Sequence, residues 1–367
     1  MREHLARAEE LAGDSVSAAA ARVHAFSARI REIANEVDEG RRLAEVAFAM
    51  ATELELDELR AHALTTIGMA KNDQKTGSGI ADMEQALDIA LAIDSPIAGT
   101  IVNNLAVYTT NSDVGGLPRT YELYAEAARL AERYSDASNI RFIRGNRVWM
   151  DFMLGRWDHA LESADAFIAE CEAGSPHILE GQVREVRAGL LTARGERDRA
   201  VRDQLRSFEL SQPQYDPFQR LGALIGTTAI HLEIGELDEA RSFAVGIPPI
   251  VREIGILSGL TRLTAYADEL GIGDDLRDAI AVRAGPEVPV WRRTIELGLA
   301  GELAAAADVM ETAGASTIEA NLRRHAGMVT GATDQLERAL AFYRSVDATF
   351  YVAQIESALA AAQSESA

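Results

Sequence analysis

The sequence has almost no lysine and a single cysteine. Its 367 residues include two lysines, Lys71 and Lys75, and one thiol, Cys171. One cysteine excludes a disulfide within the chain and any metal site built from several cysteine ligands. The remaining basic residues are arginine and alanine is abundant, a composition typical of a bacterial genome rich in G and C. The single thiol is consistent with a reducing cytoplasm.

Long apolar runs and an excess of positive charge are also missing. No stretch approaches the roughly 18 apolar residues that span a bilayer, and residues 1–10 are too charged for a secretory signal. The chain has 36 basic and 57 acidic residues, for a net charge of −21 that repels nucleic-acid phosphates. We therefore expect a cytoplasmic protein that binds neither membranes nor nucleic acid.

What the sequence does contain is an internal repeat. The segments 155–160, 195–200 and 235–240 share the pattern Gly-x-x-Asp-x-Ala and follow one another at intervals of 40 residues. Apolar residues with helical spacing precede and follow each segment. Repetition at a fixed period of this length is typical of solenoid proteins.

The repeat predicts two antiparallel helices joined by a tight turn. Glycine reaches the left-handed conformation that ends the first helix, and the aspartate is expected to cap the second. The alanine allows two helices to cross closely. The predicted fold is all-α, a right-handed superhelical solenoid of antiparallel helix pairs.

The repeats resemble known families over about residues 18–359. The turn-and-helix signature resembles tetratricopeptide repeats (TPR). More narrowly, the segments 145–147, 154–158 and 341–349 resemble the repeat region of large actinobacterial regulators, which join such repeats to a nucleotide cyclase domain, a P-loop ATPase domain or both. Segment 68–76 lacks the glycine of a P-loop and follows no strand, and no cyclase core is visible, so the resemblance extends to the repeats alone.

Two proline-rich segments suggest that the chain is divided into three regions. Proline disrupts helix interiors, and it occurs as a pair at 248–249 and again within 285–289. We predict N-terminal TPR-like repeats over 1–247, an irregular helical segment over 248–289, and C-terminal helical-hairpin repeats with a short tail over 290–367.

Arginines recur in register with the repeat and are the leading candidates for ligand contact. Arg144 and Arg184 are 40 residues apart, as are Arg147 and Arg187, and Arg141 lies nearby. Equivalent positions line up along a solenoid, so these side chains are predicted to form a basic strip in the concave groove that binds an acidic peptide. The alternative is that they pair with acidic residues of the solenoid itself. Polar residues on comparable helices complete the candidate set: Asn103, Asn104 and His231.

No catalytic motif is present. The histidines lack the His-Glu-x-x-His spacing of zinc proteases, and we expect no metal and no cofactor. We therefore predict a non-enzymatic scaffold that binds a protein or peptide. The alternative is a ligand-sensing region that regulates an ATPase or nucleotide cyclase, and an enzyme with its site between repeats is least favoured.

The last predicted hairpin leaves the oligomeric state open. It contains the aromatic residues Phe342, Tyr343, Phe350 and Tyr351. If these residues are partly exposed they offer a surface for a homodimer, and otherwise they belong to a capped core.

Overall fold

Helices joined by short turns make up the parts of the chain that the computed structural model describes, residues 2–13, 15–74, 79–110, 116–212, 216–255, 258–282 and 290–365. No strand occurs in these ranges. The predicted all-α fold of TPR-like antiparallel helix pairs is confirmed. Residues 283–289, which include the second predicted proline break, and residues 75–78, at the end of the segment compared with a P-loop, lie outside the described ranges.

The chain forms two compact units, residues 1–143 (unit 1) and 144–367 (unit 2). The first seven helices belong to unit 1: α1 (Arg2–Ala12), α2 (Ala18–Ile33), α3 (Val37–Glu53), α4 (Asp57–Gln74), α5 (Gly79–Ala92), α6 (Ile97–Thr110) and α7 (Gly116–Arg133). The eighth, α8 (Ala137–Met153), contains the boundary. The three-part division over 1–247, 248–289 and 290–367 stays a prediction.

Unit 1 is assembled from successive helix pairs. α2 packs against α3, α4 against α5, and α6 against α7. Small residues dominate the contacts: Ala25 and Ala47 are fully buried, and a Cβ at Gly79 would collide with the backbone oxygen of Gly68. Side chains of this size bring helix axes close together.

Unit 2 continues the same pairing. Its helices are α9 (Trp157–Glu172), α10 (Glu180–Ala193), α11 (Arg197–Ser211), α12 (Pro217–Glu233), α13 (Leu237–Ala244), α14 (Ile247–Ile254), the 3-10 helices η1 (Ser258–Arg262) and η2 (Thr264–Tyr266), α15 (Gly273–Val282), α16 (Val290–Leu299), α17 (Leu303–Ala313), α18 (Ser316–Thr330), α19 (Thr333–Ser345) and α20 (Thr349–Glu365). The proline pair 248–249 lies in the first turn of α14, where a missing N–H breaks no helical hydrogen bond.

The repeat glycines end their helices as predicted. Gly155, Gly195 and Gly235 are left-handed, with φ of +74°, +81° and +82°. After Gly155, the Arg156 N–H donates to the Asp151 carbonyl oxygen at 2.8 Å, and the equivalent bond recurs at 2.8 Å in the other two turns. This hydrogen bond closes a loop of six residues. It provides a donor for a backbone carbonyl that would otherwise be unpaired at the end of the helix.

The repeat aspartates do not cap the helices, so that prediction was wrong. Asp158, Asp198 and Asp238 each occupy the second position of a helix, and the preceding cap positions make no side-chain hydrogen bond to the helix. One residue alone separates each glycine from the next helix, which places the aspartate inside the first turn. There its negative charge still favours the positive end of the helix dipole.

Candidate functional site

Arg144, of the predicted arginine strip, lies on the surface of α8. Its side chain is 43% exposed, and Nη2 lies 2.9 Å from Oε1 of Glu170 on α9. Arg147, one turn further along α8, is partly buried. An exposed ion pair contributes at most about 1 kcal/mol to stability. Arg144 can therefore exchange Glu170 for a carboxylate of a ligand at little cost.

Arg184 and Arg187 lie between helices of the repeat array and converge on one carboxylate. Arg184 Nη1 is 3.0 Å from Asp203 Oδ1, and Arg187 Nε is 2.6 Å from Asp203 Oδ2. Arg184 also donates to Glu180 at 2.9 Å and to Glu172 at 2.7 Å. Burial disfavours its charged form, but these hydrogen bonds outweigh that effect and raise the pKa of Arg184. Both arginines are therefore paired with acidic residues of the solenoid, which is the alternative raised from the sequence.

The other predicted residues are buried or partly buried. Asn103 and Asn104 on α6 are 4% and 8% exposed, and Arg141, also in unit 1, is partly buried. In unit 2, His231 is 8% exposed, and its Nδ1 lies 2.9 Å from Oε2 of Glu236. The predicted set thus includes residues of both units, and its role in binding stays a prediction.

A buried charged cluster inside unit 2 was not predicted. Arg324 on α18 is 4% exposed, and its Nη2 lies 2.5 Å from Oε1 of Glu233 at the end of α12. Its guanidinium lies 4.2 Å from the centroid of the Tyr351 ring on α20, and Nη1 donates to Gln354 Oε1 at 3.1 Å. Within the described part of the chain, Arg324 Nε is buried without a hydrogen-bond acceptor.

His325 extends this cluster towards the 3-10 helices. Its Nε2 lies 2.7 Å from Arg324 Nη2, and its ring meets that of Tyr266 edge-on at 5.1 Å. Burial, followed by repulsion from Arg324 and Arg262, holds the pKa of His325 well below its usual value. The imidazole is therefore neutral near pH 7, and its Nε2 accepts the arginine hydrogen bond.

Arg262 in η1 is partly buried beside the same cluster. It makes no side-chain hydrogen bond or ion pair with any residue in the described ranges. Its charge nevertheless acts on His325, on Tyr351 and on Glu185 of α10. Burial raises the pKa of Glu185 to about 7, an effect that the positive charge of Arg262 only partly offsets. Glu185 is thus a carboxyl group that changes charge near neutral pH.

Two glycines of α12 make room for Glu185. A Cβ at Gly226 would lie 2.8 Å from Glu185 Cγ, and one at Gly222 would lie 3.3 Å from Glu185 Oε2. Glycine is unfavourable inside a helix, so two glycines four residues apart indicate a close approach by another group. This spacing is the sequence signal that could have located the cluster.

The aromatic residues of the last hairpin pack largely inside unit 2. Tyr343 and Tyr351 are 1% and 7% exposed. The Phe342 ring lies edge-on to that of Trp157 at 5.8 Å, and Trp157 Nε1 donates to Thr317 Oγ1 at 2.9 Å. Tyr343 and Tyr351 therefore belong to a capped core, which is one of the two possibilities that the sequence left open.

The described ranges contain neither a metal-binding group of side chains nor a membrane-spanning helix. Among the described residues, no group of three or more histidine, cysteine, aspartate or glutamate side chains is arranged to hold a metal ion. None of the described helices combines the length and apolar character needed to cross a membrane.

Comparisons with known proteins identify the fold. The sequence matches no protein-family model, and no curated protein sequence matches it. The structure is similar to a Rap protein solved in complex with Competence and Sporulation Factor, with a TM-score of 0.59 and 14% identity over 91% of this chain and 99% of that one. Yeast Tom70 aligns over 94% of this chain and 92% of its own with 11% identity, but its TM-score of 0.28 is too low to support an argument.

Proposed function

We propose that this protein is a non-catalytic cytoplasmic scaffold whose helix pairs bind a protein or peptide. The observation that carries the proposal is the TPR-like fold, which it shares with a Rap protein solved with a factor bound. Arrays of helix pairs recognise partners on surfaces assembled from several repeats. Such a surface requires no catalytic group.

The partner contact that we propose includes Arg144 with Arg147, and the partner segment is acidic. Arg144 is exposed, and its pairing with Glu170 is weak enough to exchange. A protein with a net charge of −21 repels an acidic segment except where arginine supplies local positive charge. Arg184 and Arg187 support the surface from within, because their guanidinium groups are already engaged by Asp203.

A pull-down with the tagged full chain tests this proposal. Wild type and Arg144→Glu are incubated with host lysate, and captured proteins are identified by mass spectrometry. Arg206→Glu is the matched control, because Arg206 is also exposed and forms a similar surface pair with Glu209 at 2.9 Å. We expect a partner that wild type and Arg206→Glu retain and that Arg144→Glu loses. Equal retention by all three would remove Arg144 from the contact, and capture of no partner would contradict the scaffold.

A second candidate is regulation of an ATPase or nucleotide cyclase in trans. It is favoured by the resemblance of segments 145–147, 154–158 and 341–349 to the repeat region of actinobacterial regulators. Adding the purified chain to an ATPase or cyclase encoded beside it should change the turnover of that enzyme. An unchanged rate would count against this candidate.

A further inference from the structure

We propose that the partner segment carries two acidic side chains, the first bound by Arg144 and the second by Arg156 together with His159. The two contact points are about 10 Å apart, because seven residues of α8 separate them at about 1.5 Å each. The inference rests on the proposed function and deepens it, since it adds a second contact point and fixes the spacing of charge that the partner must have.

The two contact points lie on one face of the pair formed by α8 and α9, called here the α8–α9 face. Arg144 and Asp151 are seven residues apart on α8, which is about two turns and places both on the same side of the helix. Glu170 and His159 are eleven residues apart on α9, about three turns. Arg144 pairs with Glu170 at 2.9 Å, and Asp151 pairs with His159 at 2.8 Å. These two cross-helix pairs therefore mark the two ends of the α8–α9 face.

The second contact point is built on the buried carboxylate of Asp151. Asp151 is 1% exposed, and its Oδ2 accepts a hydrogen bond from Nδ1 of His159 at 2.8 Å. Nη1 of Arg156 lies 3.9 Å from the other oxygen, which is too long for a hydrogen bond. The side chains of Arg156 and His159 are nevertheless 50% and 56% exposed. A buried acid thus positions two side chains whose outer atoms a partner can reach.

The pairing at each point leaves positive charge that an acidic partner can use. Arg144 and Glu170 are 43% and 41% exposed, so their ion pair exchanges at little cost. At the other point, Asp151 already accepts the hydrogen bond of His159, and the guanidinium group of Arg156 is held at a longer distance. The planar fork of a guanidinium group matches the two oxygens of a carboxylate. One partner carboxylate therefore fits at each end of the α8–α9 face.

The separation of the two points specifies the partner sequence. An extended chain rises about 3.3 Å per residue, so a distance of about 10 Å corresponds to three residues. Two acidic residues at positions i and i+3 of an extended segment can therefore occupy both points at once. Adjacent acidic residues are too close to do so and would use one point alone.

Binding of short labelled peptides to the full chain, followed by fluorescence anisotropy, tests the proposal. Each peptide is built from glycine and serine, is capped at both ends, and carries two aspartates whose separation varies from one to six positions. The same peptides with asparagine in place of aspartate are the neutral controls. We expect the tightest binding at a separation of three, about fivefold tighter than with adjacent aspartates, the value of one exposed ion pair.

Variants of the chain locate the second contact point. Arg156→Gln should remove the advantage of the three-residue separation, and His159→Ala should reduce it. Arg197→Gln is the matched control, because Arg197 at the start of α11 is 54% exposed and pairs with Glu236 at 3.0 Å. It should bind every peptide as wild type does.

The outcomes distinguish this inference from the proposed function. If Arg144→Gln weakens binding while neither the separation nor Arg156→Gln has an effect, the contact at Arg144 stands and the second contact point is overturned. If the aspartate peptides bind no better than their asparagine controls, or if Arg144→Gln binds as wild type does, both proposals are contradicted.

Discussion

Unit 1 and unit 2 form the same kind of helix pair with different turn residues. In unit 2, Gly155, Gly195 and Gly235 take the left-handed position at the end of a helix. In unit 1, non-glycine residues take the same conformation after four helices, with φ between +53° and +61°: Asn35, Glu55, Asp94 and Ser135. The exceptions are Gly13 after α1 in unit 1 and Asp347 after α19 in unit 2, with φ of +57° and +55°. A left-handed conformation costs a non-glycine residue about 1–2 kcal/mol. In unit 1, tertiary packing therefore imposes the left-handed turn. In unit 2, the glycine at the turn favours this conformation by itself.

The two units also differ in the charges that they bury. Among the described residues of unit 1, Glu32 is the one buried aspartate, glutamate, lysine or arginine. Unit 2 buries acidic residues and also several arginines: Arg184, Arg292, Arg323 and Arg324. Buried ions require matched partners, so unit 2 should respond strongly to the loss of one charge. The following predictions test this difference, beginning with the largest expected effect.

Removing the shared carboxylate of α11 should cost the most. Asp203→Ala leaves Arg184 and Arg187 without their common acceptor, and we expect a loss of about 3 kcal/mol in the free energy of unfolding. Asp198→Ala, one turn earlier and exposed, should change stability by less than about 0.5 kcal/mol. Urea denaturation measures both variants, and equal losses would show that the buried pairing does not matter.

Glu185 should make the stability of unit 2 depend on pH. Its folded pKa of about 7 lies above the usual value of 4.5, so folding takes up a proton and the stability falls as pH rises from 4.5 to 7. A shift of this size corresponds to about 3 kcal/mol. Glu185→Gln should therefore be more stable than wild type at pH 8, by up to about 3 kcal/mol, and similar to it at pH 4.5. A constant difference across this range would contradict the assigned pKa.

Alanine substitutions at the turn glycines of unit 2 should lower the stability by unequal amounts. A Cβ at Gly155 would lie 2.8 Å from Phe342 Cε2, whereas one at Gly235 would meet nothing within 4 Å. Gly235→Ala therefore carries the conformational cost alone, about 1 kcal/mol, and Gly155→Ala should lose about 2 kcal/mol because a clash is added. Melting curves of the two variants measure the difference, and identical losses would contradict the contact with Phe342.

The smallest effect, with opposite sign, is expected in unit 1. Glu55 is exposed and left-handed, with φ of +55°. Glu55→Gly should stabilise the protein by about 0.5 kcal/mol, because relief of the left-handed conformation exceeds the added freedom of the unfolded chain. Glu53→Gly, at the last position of helix α3, is the control and should destabilise. A loss of stability in Glu55→Gly would show that packing does not impose this turn.

The turns explain how much of the fold could be predicted. The repeat was visible at Gly155, Gly195 and Gly235 because glycine is the residue that this backbone conformation favours. The corresponding turns of unit 1 carry residues without such a preference, so they showed no common motif. The aspartate lies two residues beyond the cap position predicted for it, a shift that apolar periodicity does not resolve.

The candidate site was harder to predict because its members are far apart in sequence. Periodicity aligned Arg184 with Arg144, but it did not show that Asp203 and Glu172 already engage Arg184. The interior cluster pairs Glu233 with Arg324, which belong to no repeat pattern and meet through tertiary folding. The pair of helix glycines Gly222 and Gly226 was its local signal.

Amide hydrogen exchange on the full chain tests the central claim most directly, namely that this is a binding protein whose unit 2 receives the ligand. Exchange is measured with and without a saturating amount of the partner captured in the pull-down. The account predicts slower exchange around Arg144 and Arg147 on α8 and around Glu170 on α9, and unchanged exchange in α1–α7 of unit 1. Slowing confined to unit 1, or no change in unit 2 at saturation, would contradict it.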